Sequence, residues 1–305
     1  IGYTNAVRML SSPKFLILLS LIVPLIALSS PSSAVTMKRV VVSGGNKGIG
    51  KAICQLLLEK HPDVHVILGS RDVGRGEQAL QDLKKAVPGC EGRLEMVELD
   101  TSSDDSVKKA ADTVGGPLYG IINNAGIGFG QATEDNVNVN YFGPRRMNSE
   151  FGKLLQKPGG RIVNIASASG PMFVNGCGNN DLGSKLTKPR TIGSIEELDK
   201  LARSSSGIGD GYGLSKALLN AYTVLHAAEE PKLIINSCTP GYIKTDITAG
   251  MGATNPPSKG AIPPVHLLMS PEFDTLPTGS YYGSDCVRSP IYEYRGPGDP
   301  PYEGE

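Results

Sequence analysis

The chain has 305 residues, 39% hydrophobic and 20% charged, an ordinary soluble globular composition that fits one large α/β domain or two small ones. Lys plus Arg and Asp plus Glu both number 30, so the zero net charge points away from nucleic acid or an anionic surface as partner. The five cysteines show neither metal-ligand nor redox-motif spacing and read as free thiols, with no metal site expected.

Residues 1–36 are expected to lie outside the domain. Arg8 and Lys14 precede an apolar run over 15–28, and small residues follow at Ser32 and Ala34, the layout of a secretory signal peptide. Pro24 interrupts the run, which is short for a transmembrane helix, so no stable span is expected after leader removal. Met9 suits a start for the leader and Met37 a start for a cytosolic version. Localisation therefore divides between a secretory, endomembrane or plastid route and the cytoplasm.

A β-branched run over 39–42 leads into Ser43-Gly44-Gly45-Asn46-Lys47-Gly48-Ile49-Gly50. Ile49, Ile53, Leu56 and Leu57 then recur at helical spacing. Strand, glycine-rich turn and amphipathic helix, in that order, form a cofactor-binding context. Gly44, Gly48 and Gly50 let the backbone approach a pyrophosphate, whose charge meets the free N–H groups of the helix start. Ser43, Asn46, Lys47 and Ile49 complete the loop. Its spacing is G-x-x-x-G-x-G, not the G-x-G-x-x-G of many dehydrogenases.

The second strand, 64–68, ends in Gly69-Ser70-Arg71-Asp72. An NAD site would place a carboxylate at this strand end. Here the last positions are small, and Arg71 with Lys47 would pair with a 2′-phosphate. NADP(H) is favoured, with Asp72 as the counterargument.

A helix over 74–87 and a strand over 93–99 follow. Asp100, just past that strand, either accepts from an adenine amino group or caps the next helix, with Thr101 and Ser102 as rival caps. The strand over 119–123 delivers Asn123-Asn124-Ala125-Gly126. Small residues let the chain pass beneath a cofactor, and the Asn side chains tie strand ends together. A helix from about 137 carries Asn140, and a strand over 161–165 delivers Ser167. A hydroxyl at the carboxyl end of such a strand lies where ligands bind and can donate to a developing oxyanion.

Gly211-Tyr212-Gly213-Leu214-Ser215-Lys216 opens a helix to about 229. Tyr212 and Lys216, four apart, rise from one helix face. A nearby ammonium favours the phenolate and pulls the phenol toward the working range of acid–base catalysis. Lys216 also has donors for ribose hydroxyls.

Taken together, SGGNKGIG, SRDVGRG, NNAGI, RIVNIASASG, YGLSKALLNAYT and NSCTPGYIKTD resemble the short-chain dehydrogenases/reductases, over about 38–286. The chain is most similar to their monomeric carbonyl reductases and plant menthone- and salutaridine-type reductases. The resemblance implies a single-domain Rossmann-type doubly wound parallel sheet over 37–289 and a tetrad of Asn140, Ser167, Tyr212 and Lys216. It also implies that Asn140 orders a water and that Pro240, Gly241, Ile243 and Thr245 meet the nicotinamide and phosphates. Ala166 departs from the family pattern and leaves Ser169 as a rival to Ser167. The long insert, about 171–211, resembles the monomeric branch, where it covers a face used elsewhere for dimerisation.

A strand over 233–236 and a last one near 280–283 close the sheet. The Pro/Gly-rich run over 250–264 suggests a mobile lid. Residues 290–305, acidic and proline-rich, suggest a disordered tail. The leading expectation is an NADPH-dependent reductase of aldehydes or ketones, with a small-molecule carbonyl substrate, acting as a monomer. The alternative is a non-catalytic NADP-binding module on the same fold. A hydrolase is a poor third, for there is no G-x-S-x-G elbow.

Overall fold

The computed structural model describes residues 37–304, apart from positions 179 and 206. The expected leader, 1–36, lies outside the described residues. The chain runs β1 (Lys38–Ser43), α1 (Gly48–Lys60), β2 (Val64–Ser70), α2 (Val73–Ala86), β3 (Leu94–Glu98), α3 (Asp104–Val114) and β4 (Gly120–Asn123). Next come α4 (Thr133–Val137), a π turn (Asn138–Phe142), α5 (Gly143–Phe151) and β5 (Arg161–Ile165). The insert folds as α6 (Ser169–Cys177), α7 (Asp181–Thr187) and α8 (Ile195–Ser204). Then follow α9 (Gly211–Glu229), β6 (Ile234–Cys238), α10 (Pro257–Gly260), α11 (Ile262–Met269), β7 (Tyr281–Tyr282) and β8 (Arg288–Ser289).

The strands form an eight-stranded sheet in the order β3-β2-β1-β4-β5-β6-β7-β8. Neighbours pair in parallel as far as β7, and β8 returns antiparallel. This is the expected doubly wound α/β fold. Helices cover both faces, so the inner strands are apolar without alternation. Val40 and Val42 pack with Ile53 and Leu57 of α1, Leu83 of α2 and Leu268 of α11. Val41, on the opposite face, packs with Ile121, Val107 of α3 and Phe151 of α5. The order in which strands are added reverses between β1 and β4, which opens a crevice at their carboxyl ends, the usual ligand position in such sheets.

The insert presents Leu186, Ile195, Leu198 and Ala202 to Leu214, Leu218 and Tyr222 of α9. Asp199 of α8 accepts from the Tyr141 hydroxyl at 2.6 Å and from Arg145 Nη2 at 2.8 Å, which ties the insert to the π turn and α5.

Two expectations need correction. The run 250–264 is not all loop, because its second half enters α10 and α11. Pro257, Pro263 and Pro264 sit in first turns, where a missing N–H costs little. The segment 290–304, expected as a disordered tail, has no helix or strand yet is anchored. Arg295 is nearly buried, donates from Nε to Ser289 Oγ at 2.9 Å and pairs with Asp285.

Candidate active site

A cleft of about 810 Å³ lies over the carboxyl ends of β1 and β4. Its floor is built from interlocked loops. Ser43 Oγ accepts from the backbone N–H of Asn124 (3.0 Å) and Ala125 (3.1 Å). Asn124 Nδ2 donates to the carbonyls of Ser43 (2.9 Å) and Gly44 (3.2 Å). Asn123 Nδ2 donates to Asn164 Oδ1 at 2.8 Å, tying β4 to β5 as the asparagine pair suggested. Gly44 has φ +65°, and a Cβ on Gly50 would stand 2.3 Å from the Gly44 carbonyl oxygen. No larger residue allows this turn to close. The α1 N-terminus at Lys47 has no side-chain cap, so its N–H groups face the cleft unclaimed by a capping side chain.

These features fit a dinucleotide: a glycine cradle, a helix N-terminus and cations on one rim. Asn46, Gly48, Ile49, Arg71 and Gly126 line the same cleft, as do Pro240, Gly241, Ile243 and Thr245 opposite. Asp100 lines it too and does not cap a helix, since Ser103 caps α3 by accepting from Ser106 N–H. Burial works to raise the Asp100 carboxyl, but hydrogen bonds from Ser102 and the charge of Arg71 hold it below its ordinary range.

The sequence reading missed Arg75, which lines the cleft four residues after Arg71. Its spacing from Arg71 was the available signal. Asp72 is not poised for a ribose: it caps α2 by accepting from Arg75 N–H at 2.8 Å, and its carboxylate lies 3.1 Å from Arg75 Nε. Lys47, expected to face a phosphate, pairs with Asp246.

At the inner end, Tyr212 and Lys216 rise together from α9, whose start is fixed by Asp210 accepting from Gly213 N–H at 2.8 Å. Both side chains are buried, at 8% and 5% exposure. The Tyr212 phenol lies beside the Ser167 hydroxyl. Ser169 is not its partner: Ser169 donates its N–H to Ser167 Oγ at 3.2 Å and accepts the Ser167 hydroxyl at 3.3 Å. Lys216 Nζ donates to the Ile165 carbonyl at 2.8 Å. Burial pulls its pKa down to about 8.

The expected depression of the phenol by Lys216 is not what these surroundings produce. Burial dominates and raises the Tyr212 pKa, the Ser167 hydrogen bond works against that, and Asp210 adds to it. Lys216 Nζ stands 5.8 Å from the Tyr212 ring centroid, turned toward Ile165. Asn140 is held by its side chain. Its Oδ1 accepts from Ile127 N–H (2.9 Å), and Nδ2 faces Ile127 O (3.0 Å), Ser215 Oγ (3.0 Å) and Asn136 Oδ1 (3.2 Å). Protein groups therefore occupy its carboxamide. Asn140 braces the loop after β4 against α9, from a π turn of the kind often found at functional sites.

The chain matches the short chain dehydrogenase family over residues 38–179. It is 30% identical to (+)-neomenthol dehydrogenase of Arabidopsis thaliana, over 83% of this chain and 98% of that one. The chain belongs to the short-chain dehydrogenase family. It is also 31% identical to carbonyl reductase (NADPH) 1 of Homo sapiens, across 81% of this chain and 96% of the relative. Among solved structures it is similar to salutaridine reductase from Papaver somniferum, with a TM-score of 0.71 and 25% identity, covering 80% and 99% of the two chains. As a short-chain dehydrogenase it is an oxidoreductase that uses a nicotinamide cofactor on a small-molecule substrate. Among the described residues no helix is long and apolar enough to cross a membrane.

Proposed function

We propose that this short-chain dehydrogenase is an NADPH-dependent reductase of bulky, uncharged aldehydes or ketones. The observation that carries the reading is the convergence of Tyr212, Ser167 and Lys216 in one cleft rimmed by Lys47, Arg71 and Arg75. Bound NADPH supplies the hydride that reaches the carbonyl carbon. Ser167 donates to the carbonyl oxygen as charge grows there. Tyr212, kept protonated by its burial, gives its proton to that oxygen. Lys216 holds ribose hydroxyls and supplies positive charge near the phenol, while Asn140 positions α9.

The substrate class is supported by a second cavity of about 750 Å³, which meets the cleft at Phe129. Phe129 packs against Tyr212, with ring centroids 4.2 Å apart and planes tilted by 50°. Met172, Phe173, Leu182 and Ile208 also line this cavity, and among the described residues lining it there is no Lys or Arg. Its carboxylate, Asp210, is engaged with Gly213. A screen of NADPH oxidation against quinones, aromatic aldehydes and cyclic ketones tests the reading; no turnover across the screen would overturn it.

Two expected results arise here. Contacts of Arg71 and Arg75 with a 2′-phosphate, at roughly 1.5–3 kcal/mol per charge-assisted bond, should favour NADPH over NADH by about tenfold or more in kcat/KM. Equal efficiency would reject the assignment. The insert, packed on α9 and tied to α5 by Asp199, should leave the protein a monomer. Sedimentation of residues 37–305 should give the mass of one chain, and a stable dimer or tetramer would contradict it.

A further inference from the structure

An ion pair spans the cofactor cleft. Lys47 Nζ, at the glycine loop before α1, lies 2.5 Å from Asp246 Oδ2, which is 199 positions away in the chain. Asp246 opens the 3-10 turn Asp246–Thr248, held by reciprocal bonds between Thr245 and Thr248. The two walls are close here, for a Cβ on Gly48 would stand 3.5 Å from Thr245 Cγ2. Both Lys47 and Asp246 line the cleft, yet their side chains are 60% and 79% exposed, so neither carries core packing. The ammonium holds the Asp246 carboxyl below its ordinary range.

We propose that Asp246 is a cofactor-selectivity residue, which competes for Lys47 with the 2′-phosphate of NADPH and so limits the preference for NADPH over NADH. The proposal rests on reading the cleft as an NADPH site. If Lys47 is to meet a phosphate, it must either leave Asp246 or keep a carboxylate within ion-pair reach of the incoming anion. Both cases weaken NADPH binding through Lys47. NADH carries a neutral hydroxyl at that position and so lacks the charge for which Asp246 competes. Arg75 is similarly engaged by Asp72, so two of the cleft's three cations on this rim already have carboxylate partners.

Exposed ion pairs are weak, which sets the size of the effect. Removing the carboxylate charge should tighten NADPH by about two- to fivefold. The experiment is equilibrium titration of the full chain with NADPH and with NADH, followed by nicotinamide fluorescence at low ionic strength. Asp246→Asn should lower the Kd for NADPH by that factor and leave the Kd for NADH unchanged. In a Lys47→Ala background the same substitution should change neither. The proposal is overturned if Asp246→Asn shifts both Kd values equally, weakens or fails to tighten NADPH, or acts undiminished without Lys47. A parent chain that binds NADPH no more tightly than NADH would overturn the NADPH reading itself, and this role for Asp246 with it.

Discussion

Tyr212→Phe is expected to lower kcat for carbonyl reduction by about 10²–10⁴-fold, the usual contribution of a positioned general acid, while NADPH binding is retained. The substitution keeps the ring, which is 8% exposed and packed against Phe129, so the wall between cleft and second cavity survives. It removes the hydroxyl beside Ser167. That loss should cost about 1 kcal/mol of stability, well short of unfolding the domain. Rapid-quench measurement of the reduction step with saturating NADPH reads the acid directly. A variant that reduces carbonyls at the parent rate would place the chemistry elsewhere. The raised phenol pKa adds a sign: the acid form is present below that pKa and is lost as pH rises through it, so reduction needs no base to prepare Tyr212.

Ser167→Ala should cost roughly 10²–10³-fold in kcat, the loss associated with one oxyanion donor, with little change in cofactor affinity. Ser167 stands just past β5 beside the phenol, and its hydroxyl otherwise bonds Ser169. Removing its hydroxyl therefore leaves the glycine loop and the Lys216–Ile165 bond in place. Ser169→Ala is the matched control. Its backbone N–H still reaches residue 167, and its hydroxyl is not the phenol's partner, so kcat should stay near that of the parent. The reverse order of effects would make Ser169 the donor and give Ser167 a structural role.

Much of this protein is set locally. Runs such as 40–42 and 162–163 are apolar on both sides of the chain because both faces of a parallel strand are covered. The turn at 44–50 needs glycine because no Cβ fits between Gly50 and the Gly44 carbonyl. A four-residue step on a helix brings Tyr212 and Lys216 to one face wherever that helix lies. These are statements about backbone geometry over a few residues, so sequence alone determined them, and with them the fold, the glycine cradle and the position of the reactive pair. The remainder depended on groups distant in the chain. That Lys47 has a carboxylate partner in Asp246, and that Ile127, Ser215 and Asn136 occupy the Asn140 carboxamide, showed only in the folded chain. The direction of the Tyr212 shift likewise turned on how deeply α9 is buried and on where Lys216 points. Burial and long-range pairing are properties of packing, which no local pattern specifies, so the tertiary structure alone decided them.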